Sequence, residues 1–190
     1  MTTEKVKKRK VAWGITGAGD KIVDFVEEMK KIQREYADTV EIQVFLSKAA
    51  ELVLKFYRLE ADLKQNFSNV RVEINSNAPF LAAWMQMRKY EFLLVAPATS
   101  NTVAKIANSI GDTMLTNATI MSLKAFVPVY IVPTDYREGT VYTKLPSGKE
   151  MKLRVRKEEV AQVKKIERME DLFVLEGPQK IREVFQKYFG

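Results

Sequence analysis

The chain contains no cysteine and no histidine. Without cysteine there is no disulfide, no thiolate nucleophile and no thiolate metal ligand. Without histidine there is no imidazole base, and neither zinc nor haem can be held through a ring nitrogen. No metal site is expected. Chemistry must rest on carboxylates, lysines, tyrosines, hydroxyls, backbone dipoles or a bound cofactor. No apolar run has the length needed to span a bilayer. No signal-peptide core follows the basic start, Met1 to Lys10. A cytoplasmic location is the expectation.

What is present is an ordinary globular composition. Of 190 residues, 46% are hydrophobic and 29% charged, enough for one domain with a real core. The net charge is +7. The basic residues gather at Lys5 to Lys10 and from Lys144 to Lys165. Such a surface suits an acidic protein partner. Aromatic and basic residues do not interleave as they do in RNA-binding modules, which argues against nucleic acid.

The hydrophobic pattern alternates between strand and helix periods. Strands are expected at Lys10–Ile15, Val40–Leu46, Val70–Ile74, Glu91–Ala96 and Val129–Val132. Helical spacing links Ile22, Phe25, Val26, Met29 and Ile32, with Asp20 as the expected cap. Further helices are expected from Lys48 to Tyr57, from Pro79 to Met87, from Asn101 to Ile110, and from Thr113 to Ala125 behind an Asp112 cap. This order predicts an α/β fold, a doubly wound parallel sheet in a flavodoxin-like or Rossmann-like three-layer sandwich. After Pro133 the pattern changes. Turn formers fill Thr134–Lys149, Glu150–Val155 alternates like a strand, and two helical segments follow. Residues 1–135 are read as the main domain. Residues 136–190 are read as a small α+β appendage, packed on that domain or on a neighbouring subunit.

Three expected strand ends collect small, polar or glycine residues. They are Thr16-Gly17-Ala18-Gly19, Ser47, and Pro97-Ala98-Thr99-Ser100-Asn101-Thr102. In open α/β sheets, ligands bind at the carboxyl ends of strands. Helix starts there offer free N–H groups and a positive dipole end, suited to phosphate. One helix cap needs one Ser, Thr or Asn, so four in a row exceed that need. Neither a G-x-G-x-x-G nor a Walker spacing is present. Together the three ends describe a mononucleotide crevice without a required Arg or Lys. Trp13, Phe80, Trp84, Tyr90 and Phe92 are large enough to stack on a ligand, but core packing is the expectation for each, with Trp84 the best exception. Asp135, Tyr136 and Arg137 are considered for contact with a substrate or a neighbouring subunit.

The runs Ile15-Thr16-Gly17-Ala18, Ser47-Lys48-Ala49-Ala50 and Pro97 to Thr102 resemble the flavoprotein family of homo-oligomeric flavin-containing cysteine decarboxylases. Pro97 to Thr102 is similar to that family's Pro-Ala-Ser-Ala-Asn-Thr motif. Asp112-Thr113-Met114-Leu115-Thr116-Asn117 is similar to the segment that follows it. The Val132-Pro133 ending and the tail with Glu176-Gly177-Pro178 resemble the archaeal branch, which holds archaeoflavoproteins and dihydromethanopterin reductases. The resemblance implies FMN. It puts Gly17, Ala18 and Ser47 on the phosphate and ribityl side. Thr99, Ser100, Asn101 and Thr102 would hold the phosphate and orient the flavin edge. Ala98 lies within the same motif, and Thr16 shapes the turn. A trimer-based or larger homo-oligomer is also implied.

The departures narrow the function. The decarboxylases' catalytic His, clamp Cys and Pro-x-Met-Asn-x-x-Met-Trp motif are all missing, which argues against decarboxylation. The tail argues against prenyl transfer. Cysteines for an iron–sulfur centre are missing too, so electrons must come from outside. The expected function is FMN-based electron transfer with a ferredoxin-like acidic donor. The alternatives are a pterin reductase using the same flavin and a non-catalytic flavin carrier.

Overall fold

A computed structural model describes residues 7–190; the calls on Met1 to Val6, including the start of the basic N-terminal run, lie outside the described residues. The chain runs β1 (Arg9–Ile15), α1 (Ile22–Glu35), β2 (Val40–Leu46), α2 (Lys48–Phe56), α3 (Glu60–Asn66), β3 (Val70–Val72), α4 (Leu81–Gln86), β4 (Leu93–Ala98) and α5 (Ser100–Ala107). It continues through α6 (Met114–Lys124), β5 (Val129–Pro133), β6 (Gly139–Lys144), β7 (Glu150–Val155), α7 (Lys157–Ile166), β8 (Leu172–Val174) and α8 (Ile181–Phe189). No helix among the described residues is long and apolar enough to cross a membrane.

Six parallel strands form one sheet in the order β3-β2-β1-β4-β5-β8. The expected doubly wound α/β fold is what forms. Each central strand is buried on both faces, as a covered parallel sheet requires. Alternate residues of β1 show it: Val11, Trp13 and Ile15 enter one core, and Ala12 enters the other. The first core is closed by α1, α2, α3 and α8. The second is closed by α4, α5, α6 and α7. The buried stripe of α1 is the one its spacing predicts: Ile22, Phe25, Val26, Met29 and Ile32.

Local details differ from expectation for identifiable reasons. Asp20 does not cap α1; the position falls to Lys21, in the left-handed region at φ 53° with no side-chain cap bond. Asp112 does not cap α6. Thr113 does, in a reciprocal capping box with Thr116, while Asp112 pairs with Lys105 at 2.8 Å. Helix α3 was not anticipated. The chain turns at Arg58, φ 57°, and re-enters a helix that brings buried Leu63 into the first core, with Phe67 just beyond it.

The segment beyond residue 135 divides in two. Strands β6 and β7 form an antiparallel hairpin outside the main sheet. The rest is continuous with the sheet and its cores. Strand β8 pairs with β5, Val163 and Ile166 of α7 enter the second core, and Ile181, Val184 and Phe185 of α8 enter the first.

Strand order sets where a ligand fits. From β1 the chain winds to β2 and β3 on one side, then returns to β4 and winds outward through β5. The winding reverses between β1 and β4. Their carboxyl ends therefore diverge into connections on opposite faces and leave a crevice.

Candidate functional site

The crevice is built on Thr16, the residue after β1. Its side chain is buried. The Thr16 hydroxyl donates to the Pro97 carbonyl at 2.8 Å and accepts from the Thr99 N–H at 2.9 Å. The Thr16 N–H donates to the same carbonyl at 3.2 Å. One small polar residue thus pins the end of β1 to the turn after β4. One residue on, a Cβ at Gly17 would fall 2.5 Å from the Ala49 Cβ in the first turn of α2. Glycine is required there by close approach, not by a left-handed backbone.

The two nearby helix starts are not equivalent. At α2 the Ser47 hydroxyl accepts from the Ala50 N–H at 3.0 Å, and the Ser47 N–H donates to the Ile15 carbonyl at 3.0 Å. The Lys48 N–H donates to the Glu73 carboxylate at 3.2 Å. That start is already capped and carries an acidic side chain. Ser47→Ala is expected to lower stability by about 1 kcal/mol, the usual value of an N-cap, read as a smaller urea midpoint at unchanged slope.

At α5 the Thr99 hydroxyl accepts from the Thr102 N–H at 3.3 Å, and the two hydroxyls lie 3.0 Å apart. One cap accounts for Thr99 and Thr102. Ser100 and Asn101 fill the first two helical positions, where N–H groups have no carbonyl within the helix. The Ser100 hydroxyl donates to the Asp135 carboxylate. Asn101 is exposed.

These elements border a cavity of about 320 Å³. Of the anticipated residues, Ala18, Thr99, Ser100 and Asn101 line it. Thr16 and Ala98 are buried, Thr16 as the pin just described. Gly17 packs on α2, Ser47 caps that helix, and Thr102 serves the α5 cap. The far wall was not anticipated. It is the inner face of the β6–β7 hairpin, where Val141 pairs with Leu153 and Thr143 with Met151. Residue alternation was visible in Glu150–Val155. Nothing in the spacing said that this strand folds back over the strand ends. The walls carry two carboxylates, Asp20 and Asp135, and no Lys or Arg.

Core packing, the expectation for these aromatics, is what Trp13, Tyr90 and Phe92 show. Trp13 is buried and donates its Nε1–H to the Ala96 carbonyl at 2.7 Å. Phe92 and Tyr90 are core residues. Trp84 lies against Phe45 with the Arg71 guanidinium 5.0 Å from its ring. Helix α4 packs on the second core through Leu81, Ala82 and Met85, and Trp84 is not among the residues that line the crevice. The aromatic side chain lining the crevice is Tyr57. Tyr136 lies just beyond, its phenol held above the usual range first by desolvation and then by the neighbouring carboxylates Glu167 and Glu176.

A family model and several known proteins match the chain. Residues 1–180 match the family model described as Flavoprotein. An uncharacterized protein of Methanocaldococcus jannaschii is 47% identical over 179 residues, covering 94% of this chain and 95% of that one. The dihydromethanopterin reductase (acceptor) of the same organism is 30% identical, covering 93% and 95%. Among solved structures, Burkholderia xenovorans DmrB in complex with FMN, described as a cubic protein cage for redox transfer, superposes with a TM-score of 0.80. Its identity is 27%, and 96% of each chain is covered. With residues 1–180 matched by one family model, the chain belongs to the Flavoprotein family.

Proposed function

We propose that this chain binds FMN in the β1/β4 crevice and carries electrons on it. The observation that supports this most is the pairing of an open α5 start with an apolar hairpin wall across one cavity. FMN has those two needs: an anionic phosphate and a broad, mostly apolar ring. The N–H groups of Ser100 and Asn101, with the Asn101 amide, would hold the phosphate through the helix dipole. Ala18, Val141, Met151 and Leu153 would cover the ring and exclude water. Thr16 would hold the turn in place, and the Ser100–Asp135 bond would fix its orientation. Bound there, FMN supplies one- and two-electron chemistry. Residues up to 135 would thus provide the crevice, and the segment from 136 its cover.

The donor we favour is an acidic, ferredoxin-like protein, in the cytoplasm. The outer face of the hairpin supports this. Lys144, Lys152 and Arg154 are exposed on it beside Tyr142, directly behind the residues that face the crevice. Complementary charge speeds encounter and is screened by salt. Reduction by such a donor is expected to slow about tenfold or more between low and physiological-to-high ionic strength. A rate independent of salt in stopped-flow measurements would remove the docking assignment.

A second reading, a pterin reductase, is supported by the curated relative named for dihydromethanopterin. DmrB's description as a cage supports homo-oligomeric assembly for this chain as well. The test of the shared claim is flavin uptake. Protein purified under native conditions should take up FMN and release it on denaturation; a chain that stays colourless with added FMN would defeat both readings.

A further inference from the structure

Tyr57 lines the crevice, and the FMN reading leaves it without a role. It is the C-cap of α2, where its N–H donates to the Val53 carbonyl at 2.9 Å. The left-handed backbone of Arg58, φ 57°, ends the helix directly after it. Tyr57 is half-buried and packs against the first core, which fixes the near end of the side chain. At the far end its hydroxyl donates to the Lys144 carbonyl of the β6–β7 hairpin at 3.3 Å. Lys144 follows Thr143, which lines the crevice and pairs with Met151. The ring therefore bridges the end of α2 and the apolar hairpin wall. Gly19 records the same placement. A Cβ there would fall 2.9 Å from the Tyr57 Oη and 3.1 Å from its Cε2. Gly19 also lines the crevice, and its missing side chain gives the ring edge room.

We infer that Tyr57 is the stacking residue of the flavin site: its ring packs against the isoalloxazine while its hydroxyl stays anchored on the hairpin. The inference rests on the FMN reading and deepens it, because it names the contact that recognises a flat ring rather than a phosphate. Three observations select this role. Among the described residues, Tyr57 is the one aromatic side chain lining the crevice, and small-molecule sites use aromatic side chains to cover flat ligands. The walls carry Asp20 and Asp135 and no Lys or Arg, so the ring must be held by apolar surface and stacking, not by a cation. The side chain is fixed at both ends, by the core and by the Lys144 carbonyl. Little rotamer freedom is left to lose when a ligand packs on it, which favours binding.

Emission from the bound flavin tests the contact. A phenol touching an excited isoalloxazine gives it one electron and takes that electron back, so light is lost without net chemistry. A phenylalanine ring is too hard to oxidise to do this. Flavin-free wild type, Tyr57→Phe and Tyr57→Leu are titrated with FMN and with riboflavin, and unfolding curves are recorded on the same samples. Wild type is expected to bind both flavins and to quench their emission. Tyr57→Phe keeps the stacking surface, so it should bind both within about threefold of wild type, while the emission of the bound flavin rises. Tyr57→Leu should weaken FMN and riboflavin alike, by about tenfold. The inference falls if flavin bound to wild type is as bright as free flavin, or if Tyr57→Phe leaves the quenching unchanged. It also falls if a folded Tyr57→Leu chain binds riboflavin as wild type does, because a loss confined to FMN would move Tyr57 to the phosphate. Should Tyr57→Leu not fold, the emission from Tyr57→Phe decides. A wild type that binds neither flavin sinks the FMN reading and this one with it. A wild type that binds both, with affinity and emission unchanged in the variants, sinks this one alone.

Discussion

Replacing Phe185 with alanine is expected to cost about 3–5 kcal/mol of folding stability, the range for emptying a buried aromatic site. Phe185 is fully buried. Its ring lies among Tyr36, Phe92 and Phe189, with centroids 5.9, 5.4 and 5.7 Å away. These neighbours come from α1, the edge of β4 and α8 itself, so the cavity cannot be refilled by one small movement. Total stability of a domain this size is about 5–15 kcal/mol, and the loss would be a large part of it. Phe173→Ala is the matching control. Phe173 stacks on Tyr130 at 5.1 Å but is 42% exposed, and about 1 kcal/mol or less is expected there. Urea unfolding of the two variants measures both. Equal small effects would mean that α8 is not part of the core it closes.

Asn101→Asp is expected to separate ligand binding from stability. Aspartate is nearly isosteric with asparagine, and a carboxylate in the first turn of a helix is favourable by about 0.3–1 kcal/mol. Folding stability should be unchanged or slightly higher. A second negative charge beside Asp135, at the spot assigned to the phosphate, should weaken FMN by about 100-fold, or about 2.7 kcal/mol. Riboflavin has the same ring without the phosphate, and its affinity should change little. The contrast between the two flavins reports the position of the phosphate directly. Equal losses for both would move the ring, rather than the phosphate, to Asn101.

Much of this was legible in the sequence because it is local. The apolar run of β1, the helical stripe of α1 and the small residues after β1 and β4 each declare themselves within a few positions. The excess of cap formers from Thr99 to Thr102 pointed to the α5 start, and the structure divides them: Thr99 and Thr102 make the cap, while Ser100 and Asn101 face the cavity. What the pattern did not carry is non-local. Ser47 looks like a ligand contact until Glu73, from the end of β3, is seen at the same helix start. Trp84 looks well placed for stacking until Phe45 and Arg71 are seen to hold it. The hairpin face that covers the crevice is set by its return over the strand ends, and Tyr57 reaches the site from the last turn of α2. Its hydroxyl donates to the Lys144 carbonyl of that hairpin at 3.3 Å. No spacing within either segment encodes that meeting.

The central claim is that the α5 start, under the hairpin, is the phosphate end of an FMN site. Equilibrium titration of flavin-free wild type and Asn101→Asp with FMN tests it most directly, with unfolding curves recorded on the same samples. The account predicts one FMN bound per chain by wild type, and binding weaker by about 100-fold in a variant that unfolds no earlier. Full FMN affinity in a folded Asn101→Asp chain, or a wild-type chain that binds no FMN, would contradict it.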